Sequence, residues 1–126
     1  MFTTGKAFSG FSINDFEAAK TFYGDTLGLT VSQDAMGFLR IRLDSGGTVL
    51  AYVKDNHEPA SFTIMNFPVD DVDAAVDDLN SRGVATKIYD DGDLPTDDKG
   101  IMRGNGPDIA WFRDPAGNVL SVLKAD

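Results

Sequence analysis

The chain says nearly the same thing twice, and that repetition constrains its fold more than any other feature. GTVLAYVK begins at Gly47 and GNVLSVLK at Gly117, while NDFEAA begins at Asn14 and DDVDAA at Asp70. In a chain of 126 residues each copy is too short to be a domain, so the repeat predicts two copies of one supersecondary unit. Each helical copy opens on a residue suited to an N-cap, Asn14 or Asp70, with an acid three residues later, Glu17 or Asp73. Val72, Ala75, Val76 and Leu79 follow helical spacing, and Gly83 suits the C-terminal cap. Phe16, Ala19 and Tyr23 hold the matching places in a first helix that the pattern extends to about Leu27.

Short strands flank each helix: Lys6 to Ser12 and Ser61 to Phe67 before, Leu29 to Gln33 and Ala85 to Tyr89 after. A hairpin closes each copy, LRIRLDSGGTVLAYV and IAWFRDPAGNVLSVL, aligning Asp44 with Asp114 and Gly47 with Gly117 around turn-forming residues. The order is βαβββ twice, an α+β chain read as one domain over 1–126. Module 1 covers about 1–54, the polar KDNHEPA at 54–60 is a linker, and module 2 covers about 61–126. The copies lie further apart at their hairpins than at their helices, so the second carries an insertion, YDDGDLPTDDKGIMRGNG, starting at Tyr89. An aperiodic stretch of this length is usually functional or disordered. Asp90, Asp91, Asp93, Asp97 and Asp98 crowd into it.

Composition removes several function classes. There is no cysteine, which excludes disulfides, thiol catalysis and cysteine-based zinc sites. A net charge of −9 disfavours nucleic acid, whose phosphates an acidic surface repels. No apolar run approaches the ~20 residues of a membrane span, and no basic-then-apolar segment opens the chain. The expectation is a cytoplasmic protein with neither nucleic acid nor membrane as partner. The lone His57 sits in the linker and reads as a surface residue, with no sequence clue to a Ser/His/Asp grouping. Asp114 reads as a turn-former, with Asp44 in the equivalent place. The glycines of RGNG lack the strand-then-helix context of a phosphate loop.

Two βαβββ modules, FYGDTLGL after the first helix and FRDPAGNVLSVL near the end together resemble the vicinal oxygen chelate superfamily, which includes glyoxalase I, bleomycin-resistance proteins and extradiol dioxygenases. The resemblance implies a curled mixed sheet around a cleft, with the helices on its outer face and a small organic ligand inside. It also implies a homodimer, since chains of this family commonly complete or buttress one another's clefts. Metal-dependent members place a ligand on the first and last strand of each module, His or Glu in the glyoxalase I pattern. Carried over, those places are Phe8, Ala51, Ile64 and Ser121, none of them a normal divalent-metal ligand. The resemblance therefore implies a member with no metal and no other cofactor.

If these four positions mark the cleft, strand alternation adds Phe62 and Asn66. A four-residue turn at 44–47 sets Arg40 opposite Ala51, and the same turn at 114–117 sets Ala110 opposite Ser121 and Phe112 opposite Val119. The candidate ligand-binding residues are thus Phe8, Arg40, Ala51, Phe62, Ile64, Asn66, Ala110, Phe112 and Ser121, with no catalytic residue assignable. A mostly apolar cleft with few polar groups suits a small organic molecule. The leading reading is a metal-independent binding protein. The alternative is a metal-free enzyme of the same superfamily, a lyase, isomerase or dioxygenase-like protein acting on a small carbonyl or aromatic compound. Arg40 favours an anionic or carbonyl ligand, and the aspartate run favours cations.

Overall fold

The structure is a computed structural model that describes residues 1–90, 92 and 94–126; Asp91 and Asp93 of the acidic run lie outside the described residues. The chain divides into two compact units, Met1–Pro59 and Ala60–Asp126. In the first, β1 (Ser9–Ile13) leads to α1 (Phe16–Lys20), which continues as a π-helical turn over Thr21–Thr26. Then come β2 (Thr30–Gln33), β3 (Leu39–Arg42) and β4 (Thr48–Val53). The second holds β5 (Thr63–Val69), α2 (Val72–Ser81), β6 (Ile101–Met102), β7 (Ile109–Arg113) and β8 (Val119–Lys124).

The two modules are present, but the expected single curled sheet is not. The strands form two separate open sheets of four strands each, in the orders β1-β4-β3-β2 and β5-β8-β7-β6. The cause is local pairing. The first strand of each unit lies parallel to that unit's own last strand, so the ladders close within each repeat.

Both helices start one residue later than the sequence pattern placed them. The caps are Asp15 and Asp71, whose carboxylates accept from the backbone N–H of Ala18 and Ala74. The first helix widens after Lys20, where the N–H of Leu27 donates to the carbonyl of Phe22. This wider turn seats Gly24 so closely on β2 that a Cβ there would lie 2.8 Å from the Val31 side chain. It also buries Tyr23, whose ring meets Phe11 and Phe22, with Ile13, Leu39, Ile41 and Ala51 completing the first core. In the second unit α2 packs on β7 and β8, burying Val72, Val76 and Leu79. Phe112, Leu120 and Val122 are buried there too, each side chain contributing about 1.5–3 kcal/mol.

Ala85–Tyr89 is not a strand. The place beside β7 is taken by β6, from within the insertion. Residues after α2 are held by side chains instead. Asn80 Nδ2 donates to the carbonyl of Val84, Thr86 Oγ1 to that of Lys99, and Lys87 Nζ to that of Thr96.

The hairpin registers differ from expectation by one residue, and the consequence is large. Three turns share one design, starting at Asp34, Asp97 and Asp114. In each, the aspartate Oδ1 accepts from the backbone N–H groups two and four residues on. A glycine with positive φ, Gly37, Gly100 or Gly117, stands third after the acid. The β3–β4 turn has the same backbone but starts at Leu43 and uses Gly46, at φ 104°. β3 therefore pairs Leu39 with Ala51 and Arg40 with Leu50, and β7 pairs Ala110 with Val122 and Trp111 with Ser121. A slip of one residue moves every side chain to the other face.

Gly100 and Gly46 separate two costs. Both have positive φ, but a Cβ on Gly100 would also run into the carbonyl of Thr86, whereas Gly46 has open space. Gly46→Ala is expected to cost about 1–2 kcal/mol of backbone strain. Gly100→Ala should cost clearly more, about 3 kcal/mol or above. Urea unfolding midpoints at unchanged m-value check the ranking; equal costs would show that the Thr86 contact is immaterial.

Candidate functional site

In the first unit the corrected register separates a helix-covered face from an open one. Leu39, Ile41 and Ala51 turn toward the helix and are fully buried. Arg40 and Arg42 share the other face with Thr48, Leu50 and Tyr52, and with Gly10 and Ser12 of β1. On this face lies a pocket of about 490 Å³. Its apolar wall is Phe8, Met36, Phe38 and Leu50, and its polar groups include Lys6, Asp34, Arg40 and Thr48. Gly46 and Gly47 of the β3–β4 turn leave part of the rim without side chains. Phe38 is held by an edge-on contact with Tyr52, at 6.2 Å between ring centres.

Each charge in the pocket has a different status. Asp34 is turned into its own loop, where Oδ1 accepts 2.9 Å bonds from the N–H groups of Met36 and Phe38. Among the described residues, Arg40 and Lys6 form no ion pair. The chain carries net charge −9, yet this pocket holds two cations against one carboxylate.

The sequence-derived candidates fall into distinct surroundings. Phe8 and Arg40 meet in the pocket. Ala51 is on the helix-covered face, so the Arg40–Ala51 pairing is replaced by Arg40–Leu50. Ala110 and Phe112 are buried too, with Phe112 stacked on Phe67, and neither opposes the residue expected. Ser121 is fully buried and donates a 2.6 Å hydrogen bond to Oδ1 of Asn66, its neighbour on β5. Ile64 stands at an irregularity in the β5–β8 ladder, and Phe62 is 70% exposed just before β5.

Sequence reasoning missed Lys6, Met36, Phe38, Thr48 and Leu50. The available signal was the Asp34–Gly37 spacing, which matches Asp114–Gly117 and marks the turn presenting Met36 and Phe38. It also missed His57, whose Nδ1 lies 2.6 Å from Ser12 Oγ. The linker turns back at Lys54–His57 to bring them together.

Of the described acids of the insertion, Asp97 is the one in an ion pair. Arg103 meets Asp73, Asp97 and Asp108, and Lys99 meets Asp77 and Asp73, tying the insertion to α2. Burial pushes the Asp97 carboxyl up. The N–H groups of Ile101 and Lys99 and the Arg103 guanidinium outweigh it and hold the group below the ordinary carboxylate value. The Asp77 hydrogen bond raises the Lys99 ammonium, and the Asp73 hydrogen bond raises Arg103.

The residues present do not fit a metal. In the observed pairing Gly10 lies beside Leu50 as Asn66 lies beside Ser121, so Leu50 is the structural counterpart of Ser121. Neither that leucine nor Phe8, Ala51, Ile64 or Ser121 supplies a divalent-metal donor. Among the described residues no group of three or more His, Asp or Glu side chains could hold a metal ion. This donor chemistry argues against metal-dependent glyoxalase or dioxygenase catalysis. Among the described residues, no helix is long and apolar enough to cross a membrane.

The chain thus combines two βαβββ modules, a mainly apolar pocket on the first sheet and no metal-binding cluster among the described residues. The sequence pattern of the Glyoxalase/Bleomycin resistance protein/Dioxygenase superfamily matches residues 9–122, and the chain belongs to that superfamily. The uncharacterized protein YraH of Bacillus subtilis (strain 168) is 31% identical over 126 residues, covering 89% of this chain and 91% of YraH. TnmS3, an antibiotic binding protein from Streptomyces sp. CB03234, superposes with a TM-score of 0.70 at 24% identity, over 99% of this chain and 100% of that one. The oxidase ChaP-H2 superposes with a TM-score of 0.67 at 22% identity, over 99% of this chain and 96% of its own.

The donor set predicts a metal content far below one ion per chain in tag-free protein purified without chelator. Elemental analysis checks this; stoichiometric zinc, nickel, iron or manganese would show that the ligands lie elsewhere.

Proposed function

We propose that this chain is a metal-independent binding protein that holds a small organic molecule in the pocket on the open face of its N-terminal sheet. The observation that carries the reading is the pocket itself. At about 490 Å³ it falls within the ~300–1,000 Å³ range of small-molecule sites, with an apolar wall and few polar groups. The fold shared with TnmS3, an antibiotic binding protein, supports it. Phe8 and Arg40 are the ligand-contacting residues, joined by Met36, Phe38 and Leu50.

A second reading adds metal-free catalysis, favoured by the 2.6 Å contact between Ser12 and His57. A serine hydroxyl in hydrogen-bond contact with an imidazole is the usual start of an activated nucleophile. Neither residue lines the pocket, so binding is the preferred reading.

The test uses a neutral apolar fluorophore, N-phenyl-1-naphthylamine. Saturable fluorescence enhancement at one site per chain is expected, and Leu50→Trp, which fills the pocket, should abolish it while far-UV circular dichroism stays native. No saturable binding, or binding that Leu50→Trp leaves untouched, would sink the reading.

The protein is also proposed to be a homodimer. Each sheet ends in two edge strands, β1 and β2 in one and β5 and β6 in the other, and such edges invite pairing. Sedimentation at micromolar concentration should give twice the chain mass of 13.6 kDa. A species of chain mass alone would refute it.

A further inference from the structure

The geometry points to a specific ligand class for the pocket: an aromatic compound bearing one acidic group, its anion held by Arg40 with Lys6 and its ring laid on Phe8, Met36 and Phe38. This rests on the binding reading above and deepens it.

Three observations carry the anion. First, Arg40 lines the pocket from the middle of a strand, so its backbone is fixed by pairing on both sides, to Ser32 and to Leu50. A guanidinium presented from a paired strand against an apolar wall can offer two parallel N–H donors to a carboxylate or sulfonate. Second, among the described residues no carboxylate forms an ion pair with it. Asp34 is drawn toward its own turn, Oδ1 accepting from two backbone N–H groups, and neither Arg40 nor Lys6 has an ion-pair partner among the described residues. The other closely engaged cations, Arg82, Lys99 and Arg103, each sit against carboxylates. Third, Arg42 follows on the same strand face, so positive charge continues along β3. The chain's net charge of −9 opposes an anion only at long range. Screening limits that field to about 8 Å at physiological salt, and inside the pocket the local cations dominate.

The aromatic part follows from the wall. Phe8 is 64% exposed and Met36 76% exposed, more apolar surface than the fold itself requires in solvent. Phe38 is fixed edge-on by Tyr52, which leaves a rigid ring beside the pocket. Two phenyl rings and an adaptable thioether suit a flat ring system better than a branched aliphatic one.

The experiment compares two probes that differ by one acidic group: 8-anilinonaphthalene-1-sulfonate, an anion, and the neutral N-phenyl-1-naphthylamine. Each is titrated into wild-type protein, Arg40→Gln and Lys6→Gln, with circular dichroism reporting the fold. Arg40→Gln should weaken the anionic probe about ten-fold or more, as loss of a charge-assisted hydrogen bond does, and the neutral probe by less than about two-fold. Raising salt from about 0.02 to 0.5 M should weaken only the anionic probe. Lys6→Gln should give a smaller loss of the same selectivity. In competition, 2-naphthoate should displace the anionic probe about ten-fold better than 2-naphthalenemethanol, which lacks the carboxylate. If both probes bind and lose equally with Arg40→Gln, or if the alcohol competes as well as the acid, the anion assignment is wrong and the pocket stands. If neither probe binds wild-type protein, the binding reading itself falls and takes this inference with it.

Discussion

Everything in these two sheets depends on how their turns are closed. An aspartate at the start of a turn, buried at Asp114, half-buried at Asp34 and exposed at Asp97, gathers two backbone N–H groups, and a glycine with positive φ lets the chain reverse at once. Asp114 is 5% exposed, and its second oxygen also accepts from Asn118 Nδ2, so its turn has no freedom to slip. Once such a turn is fixed, the face of every residue on both strands is fixed with it. The β3–β4 turn keeps the geometry without the acid, Leu43 standing where the aspartate would be. Its register is held instead by burial of Leu39, Ile41 and Ala51, because a one-residue slip would put Arg40 and Arg42 into the core.

That distinction explains what could be read from the sequence. The two modules, the helix positions and Tyr23 as core follow from repetition and apolar spacing, signals that local physics writes directly into residue order. The face of Arg40 does not. The turn sequences DSGG and DPAG match in residue type, and aligning them places Arg40 beside Ala51. The structure uses Leu43–Gly46 in one copy and Asp114–Gly117 in the other, so the copies are offset by a residue that sequence similarity hides. The closing of each sheet within its own repeat was equally invisible, since β-pairing partners are set by tertiary packing and not by strand pattern. The strand expected at Ala85–Tyr89 failed for the same reason, because the insertion supplied a competitor for the edge of β7.

Charge distribution shows a similar difference between count and placement. The run of aspartates suggested a cation-attracting surface. Asp97 instead closes a turn with its backbone bonds and meets Arg103, while Asp73 and Asp77 of α2 take up Lys99 and Arg103. These pairs are solvent-exposed and individually weak, but together they join the insertion to the helix that covers the second core. Among the described residues, the cations without such partners include those on the open face of β3. An acidic chain can thus present a locally positive pocket, because net charge does not fix where each charge is placed.

The two halves have also diverged at the place where their metal-binding relatives would match. Leu50 and Ser121 are counterparts, each beside the first strand of its unit. In the second unit the hydroxyl is fully buried and bonded to Asn66, which satisfies it within the sheet; a buried hydroxyl without that partner would cost about 1–3 kcal/mol. In the first unit Leu50 is half-buried and lines the pocket together with Phe8 and Arg40. A site that needs four matched donors requires both halves to keep the same chemistry at the same positions. With an apolar side chain in one half and a hydroxyl bonded to Asn66 in the other, these positions offer no matched pair of donors.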